Sequence, residues 1–204
     1  MIRIHNFPRG LRGVRVAWLC EEMGLAYEVH AVSYPPGTAY LALHPLGTVP
    51  FLEDDGGVAI NESVAMLIYL AQRYGPTPLL PAQEPGLLAR VLQMTVFGEA
   101  TIASGINPLL VARFTAPEAE KRNWSVRSQE ERMGAAVDYA AAQLGERPFF
   151  AGGQLTLADI SLSPALSLWQ GPCSQPLPAN LAAFQERVKA RPAYQRARLR
   201  CGGA

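Results

Sequence analysis

Prolines at positions 76, 78, 81 and 85, set between Gly75 and Gly86, make one stretch of this chain impassable to regular structure. Proline has no backbone N–H and its ring clashes with the preceding turn, so this density fits neither a helix interior nor a sheet. Residues 76–86 therefore read as a linker, and the chain divides into one domain over 1–75 and another over 87–204. A length of 204 residues suits two small domains as well as one large one.

The two sides follow different periodicities. Residues 2–7 read as a short strand, broken by Pro8, Gly10 and Gly13 before Val14, Ala17, Trp18 and Met23 recur at helical spacing. Gly24 can close that helix in the left-handed conformation, and Tyr27, Val29 and Ala31 then alternate with Glu28 and His30 as a second strand. After the loop 33–37, Thr38 can cap a short helix through Leu43, which Pro45 stops. Two apolar runs, 49–52 and 58–60, flank Asp54-Asp55-Gly56-Gly57, a turn suited to positive φ, and so form a hairpin. A third helix starts at Ser63 and carries an apolar stripe of Val64, Leu67, Ile68 and Ala71. The order is βαβαββα.

From Leu87 onward hardly anything alternates with period two, and Thr115-Ala116-Pro117-Glu118 opens a long helix that ends near Leu144-Gly145. The second domain is expected to be all-helical. Within it, Thr156 and Asp159 have the spacing of a capping box, so Asp159 reads as a folding device in preference to a catalytic acid. Pro192 beside Arg191 ends one helix and starts another.

Composition removes several functions. A formal net charge of +1, with no basic tract, leaves no electrostatic footprint for nucleic acid. No segment reads as a secretory leader or as a bilayer-spanning run, so the expectation is a cytoplasmic protein with no membrane partner. Cys20, Cys173 and Cys201 are odd in number, far apart and without metal-ligand spacing, which points to a reducing compartment and no metal site.

Chemistry concentrates in two places. Glu62 and Ser63 stand at the start of the third helix, where unpaired amides and the positive dipole end favour an anion; Ser63 as a plain N-cap is the alternative. Just before it, Pro50 removes a ladder donor unless its strand is an edge or the Val49-Pro50 bond is cis. A cis bond would turn the Val49 backbone outward to pair with an extended, peptide-like ligand.

Gly47-Thr48-Val49-Pro50 followed by Glu62-Ser63 resembles the glutathione-binding signature of the cytosolic glutathione transferase superfamily. Residues 18–25, the proline-rich linker, the Thr156 to Asp159 box and Arg191-Pro192-Ala193-Tyr194 are also similar to the family's, so the resemblance spans essentially the whole chain. It implies an α/β thioredoxin-like N-terminal domain that binds glutathione, and an all-α C-terminal helical bundle that holds a small electrophile. It further implies that Val49 pairs through its backbone with the cysteinyl unit, that Pro50 is cis, and that Glu62 and Ser63 hold the γ-glutamyl end. Thr48 and Leu11 join them as glutathione-contacting positions, and a homodimer is expected.

Three departures stand out. The family commonly has a lysine where Thr48 stands and an asparagine where His44 stands; His44 reads as a helix-end residue. The serine, tyrosine or cysteine that supports the glutathione thiolate would align near Gly10 or Leu11, and the loop 7–15 contains none of these types. It contains no CxxC either, which argues against a disulfide oxidoreductase. A free cysteine thiol has a pKa of roughly 8.5, so something must favour the thiolate. Arg9 and Arg12, with the amides opening the first helix, are the candidates; the alternative is that Arg9, Arg12 and Arg15 form a solvated basic loop. For the second substrate, Met94, Phe97, Gly98, Glu99 and Ile102 are either pocket wall or ordinary helix packing; apolar residues there suggest a hydrophobic electrophile, and Glu99 with nearby Asn107 and Arg113 could equally tune it for something polar. The reading is a transferase joining the glutathione thiolate to a small hydrophobic electrophile. The alternatives are an isomerase of the maleylacetoacetate type and a non-catalytic relative that keeps only the fold and the binding.

Overall fold

Alternating burial along β1 (Ile2–Asn6) shows why the chain begins as a strand: Ile2, Ile4 and Asn6 point inward and Arg3 outward. The computed structural model describes residues 1–203, which form two units, 1–80 with 189–203, and Pro81–Val188. In the first, β1 is joined by β2 (Tyr27–Ala31), β3 (Phe51–Asp54) and β4 (Val58–Ile60) in the sheet order β2-β1-β3-β4. β1 and β2 run parallel, as a strand–helix–strand crossover requires, and the other pairs are antiparallel. Helices α1 (Leu11–Met23), α2 (Thr38–Leu43) and α3 (Ser63–Arg73) complete the expected βαβαββα order. Trp18 and Leu19 of α1, Leu52 of β3, and Met66, Leu67 and Leu70 of α3 are fully buried and form the core of this unit.

Local chemistry accounts for the boundaries. Gly24 ends α1 at φ 65°, and Gly56 and Gly57 turn the hairpin at φ 81° and 77°, conformations glycine adopts without steric cost. Two boundaries differ from the sequence reading. Gly37, not Thr38, is the N-cap of α2, and Thr38 is its first helical residue. β3 starts at Phe51 and not at Val49, because the cis Val49–Pro50 bond lies in the loop before it.

The second unit contains α4 (Pro85–Val96), a π-helical segment (Phe97–Ala103), α5 (Ser104–Thr115), a 3₁₀ turn (Glu118–Glu120), α6 (Trp124–Leu144), α7 (Leu157–Gln170) and α8 (Ala179–Lys189). The long helix expected from Pro117 begins instead at Trp124, where the Asn123 side chain accepts from the Val126 amide at 3.0 Å. The rod Pro85–Thr115 is long and apolar enough, by length and composition alone, to cross a bilayer, contrary to the sequence reading. It packs as a core helix of this unit: Met94, Ile102 and Ile106 are buried, and Arg90 donates to the Phe150 and Gln143 carbonyls at 2.8 Å each. Gly98 lets it approach α7, since a Cβ there would stand 2.8 Å from Ser161 Oγ. The Ser161 hydroxyl in turn donates to the Thr95 carbonyl at 2.6 Å, just before the π segment loosens the helical ladder.

The capping box forms as anticipated. Asp159 is fully buried and accepts from the Thr156 amide at 2.7 Å, the Thr156 hydroxyl at 3.0 Å and the Phe150 amide at 2.9 Å. Helix α9 (Pro192–Arg200) starts at the expected proline and belongs to the first unit. It packs on α1 through a Trp18–Tyr194 edge contact and through Arg191, which grips both oxygens of Glu22 at 2.6 and 2.7 Å.

Candidate active site

The sheet register assembles the site. Pairing of His5 with Phe51 and of Ile4 with Leu52 runs the end of β1 beside the loop that carries Val49 and Pro50. Phe7 and Val49 both pack against the buried cluster of Val32, Tyr40 and Phe51, so the first loop and the cis-proline loop share one support.

The start of α3 joins them through a residue that the sequence reading placed in a basic loop. Arg15 is not solvated: it lies in α1, is 1% exposed, and donates from Nη1 to Ser63 Oγ at 2.7 Å. Ser63 is therefore not the cap of its own helix, since Glu62 holds the N-cap position and no side chain caps α3. With a charged donor on its oxygen, the Ser63 hydroxyl proton has no acceptor among the described residues and is polarised for donation to an anion. Glu62 itself is exposed and has φ 68°, a left-handed conformation that costs a non-glycine residue energy and is found disproportionately at functional sites.

The cis-proline loop is clasped from beneath. Tyr40 donates its hydroxyl to the Thr48 carbonyl at 2.6 Å, and His44 Nε2 lies 2.9 Å from Thr48 Oγ1. His44 is buried at the end of α2 and stacks on Phe51, with ring centroids 4.9 Å apart. The Thr48 side chain is thus committed to its own scaffold.

In the first loop, Asn6 occupies the space that a side chain at position 10 would need. Asn6 is buried and donates from Nδ2 to the Gly10 carbonyl at 3.0 Å. A Cβ built on Gly10 would stand 2.6 Å from Asn6 Oδ1, and one on Gly13 would stand 2.1 Å from Asn6 Cγ. With Asn6 in this place, neither position 10 nor position 13 has room for a side chain. Around this core, Arg9 is exposed at φ 66° with its amide bound to the Cys201 carbonyl at 2.8 Å, while Leu11 and Arg12 are half-buried in the first turn of α1. Gly10 is the N-cap of α1, which has neither a capping side chain nor an acidic residue in its first turn.

Arg15 and Asn6 are the residues that sequence reasoning missed. For Arg15 there was one signal, its place between Val14 and Val16 in a helix whose residues 13–20 are all buried. Of the candidate electrophile-facing residues, Met94, Gly98 and Ile102 are core residues of the helical unit, and only Phe97 and Glu99 are partly exposed.

A mixed four-stranded sheet with a cis-proline loop ahead of a third helix, together with a helical unit, defines a thioredoxin-like ligand-binding protein with an appended helical domain. Family models confirm that class: the glutathione S-transferase N-terminal domain matches residues 13–73 and the C-terminal domain residues 108–194. The chain belongs to the glutathione S-transferase family. Glutathione S-transferase 3 of Zea mays is 31% identical over 96% of this chain and 92% of its own. Glutathione S-transferase 3 of Schizosaccharomyces pombe is 26% identical over 95% and 85%. Among solved structures, the theta-class enzyme of Xanthomonas axonopodis pv. citri with glutathione bound superposes with a TM-score of 0.81 and 30% identity over 96% of both chains.

Proposed function

We propose that this chain conjugates glutathione to a small hydrophobic electrophile, with the glutathione site in the first unit. The observation that carries the reading is the Arg15–Ser63 bond, which aims a polarised hydroxyl and a buried positive charge at the start of α3. In this reading Glu62 and Ser63 hold the γ-glutamyl end, and Val49, with Thr48, Pro50 and Leu11 around it, holds the cysteinyl unit. Arg9, Arg12 and the uncapped amides of α1 favour the thiolate by positive charge, since the first loop holds no serine, tyrosine or cysteine to do so. The thiol proton leaves to solvent, the thiolate forms a carbon–sulfur bond, and the leaving group departs with its electron pair or, for an addition, a proton is taken up. The helical residues from 87 onward take the electrophile. A cytoplasmic homodimer, with no metal, nucleic-acid or membrane partner, completes the proposal.

Calorimetric titration with glutathione, paired with thiolate absorbance across pH, tests it. Binding with a thiol pKa well below that of free glutathione, and loss of that shift in Arg9→Ala or Arg12→Ala, is the expected result. Binding with an unshifted thiol favours the second reading, a non-catalytic glutathione-binding relative, for which the occupied space at Gly10 is the specific support. Absence of binding overturns both.

A further inference from the structure

Four cations converge on one cavity of about 620 Å³ within the helical unit. Arg113 comes from the last turn of α5, Lys121 and Arg122 from the segment joining α5 to α6, and Arg127 from the start of α6. Two carboxylates, Glu118 and Glu130, share the lining.

Four cations against two carboxylates leave the lining a formal charge of +2, and of the four only Lys121 is held in an ion pair among the described residues. Arg113 donates to the Pro172 carbonyl and Arg127 to the Arg122 carbonyl, each at 2.6 Å, and both acceptors are neutral. Glu118 pairs with Lys121 at 2.9 Å, while Glu130 accepts from the neutral Gln175 amide at 3.3 Å. Among the described residues no carboxylate forms an ion pair with Arg113, Arg122 or Arg127. Like charges around a concavity repel one another, and low-dielectric walls focus their field on whatever enters. Guanidinium groups in particular match the paired oxygens of carboxylate and phosphate.

We propose that this cavity binds a small polyanion bearing carboxylate or phosphate groups, with Arg113, Arg122 and Arg127 as its ligands. It shares no residue with the glutathione site. Cys173 lines the same cavity, whereas Cys20 and Cys201 do not, so its thiol reports on occupancy.

Calorimetry on the full chain at fixed ionic strength, with citrate in one arm and inorganic pyrophosphate in the other, tests the proposal. Saturable binding is expected in at least one arm, and the stronger arm identifies the preferred oxyanion. Arg113→Gln and Arg127→Gln should each weaken binding by about tenfold, while glutathione titration of the same variants is unchanged. Saturating anion should also slow alkylation of Cys173 by a neutral reagent in the unaltered chain, read by peptide mass spectrometry. No saturable binding, affinity unchanged in the double variant, or no protection of Cys173 overturns the site. Each of these readouts is independent of whether the transferase reading stands.

Discussion

Asp159 at the start of α7 and Ser63 at the start of α3 are both buried polar residues, and their hydrogen bonding ends in opposite ways. Asp159 receives three donors from Thr156 and Phe150, so its network is closed on itself. Ser63 receives Arg15, and its own proton has no acceptor among the described residues, so its network stays open. A closed buried network returns its full value to the fold, whereas an open one leaves hydrogen-bonding capacity for a partner. A short polar residue in the first turn of a helix thus closes its network in one unit and leaves it open in the other.

The sharpest way to break that contrast is Asp159→Ala, which leaves buried donors with no acceptor. Urea unfolding should show a loss of about 3 kcal/mol or more, with glutathione affinity of the folded fraction unchanged. The pH dependence has a definite sign. Burial pushes the Asp159 carboxyl up to about 6 from 3.8, against the pull of its Phe150 and Thr156 donors. The folded state therefore takes up the proton first, and this group favours folding increasingly as pH falls from about 6 to 4. Asp54 behaves in the opposite way: burial raises it, but the Tyr74 hydroxyl, the Asp55 amide and the Tyr69 hydroxyl outweigh burial and hold it below the usual value. Its contribution is present above its unfolded value of 3.8 and is lost as pH falls through the folded value. Compared by urea midpoint, the natural chain should gain on Asp159→Asn between about pH 7 and 4.5, and lose ground to Asp54→Asn between about pH 5 and 3.

Ser63→Ala should weaken glutathione binding by roughly ten- to a hundredfold, because a hydroxyl polarised by a charged donor is lost and Arg15 is left without that acceptor. Calorimetry measures it, and an unchanged affinity would mean the open network does not face the ligand. Gly13→Ala should cost about 2 kcal/mol by driving a methyl into Asn6, and Asn6→Gly in the same chain should recover most of it. Additive losses in that double variant would contradict the packing described. The smallest effect belongs to Tyr40→Phe, which removes the hydroxyl holding the Thr48 carbonyl; glutathione affinity should fall by about fivefold with stability nearly unchanged.

Much of the fold was legible because its signals are local. Alternation in β2, the glycine closing α1, the Gly56-Gly57 turn and the Thr156 to Asp159 spacing each act over a few residues, and each forms where it reads. The long helix of the second unit was misread at its start because Pro117 and Asn123 both suit a helix opening; Pro117 opens only a 3₁₀ turn, and the Asn123 side chain caps the long helix. The candidate site was legible as a pattern, Val49-Pro50 and then Glu62-Ser63, but not as a mechanism. Arg15 looked like one of three loop arginines; its burial against Ser63 joins positions far apart in sequence, which periodicity does not reach.

By itself the sequence determined the order of elements in the first unit, the glycines that end α1 and turn the hairpin, and the capping box that opens α7. Those outcomes follow from backbone sterics and capping, which each residue imposes on its neighbours. Only the tertiary structure decided that Asn6 fills the space beside Gly10 and Gly13, that Tyr40 and His44 commit Thr48 to the scaffold, and that α9 returns to α1. It also decided that four cations surround one cavity. These depend on which side chains share a volume, and that is set by the sheet register and helix packing of the whole chain.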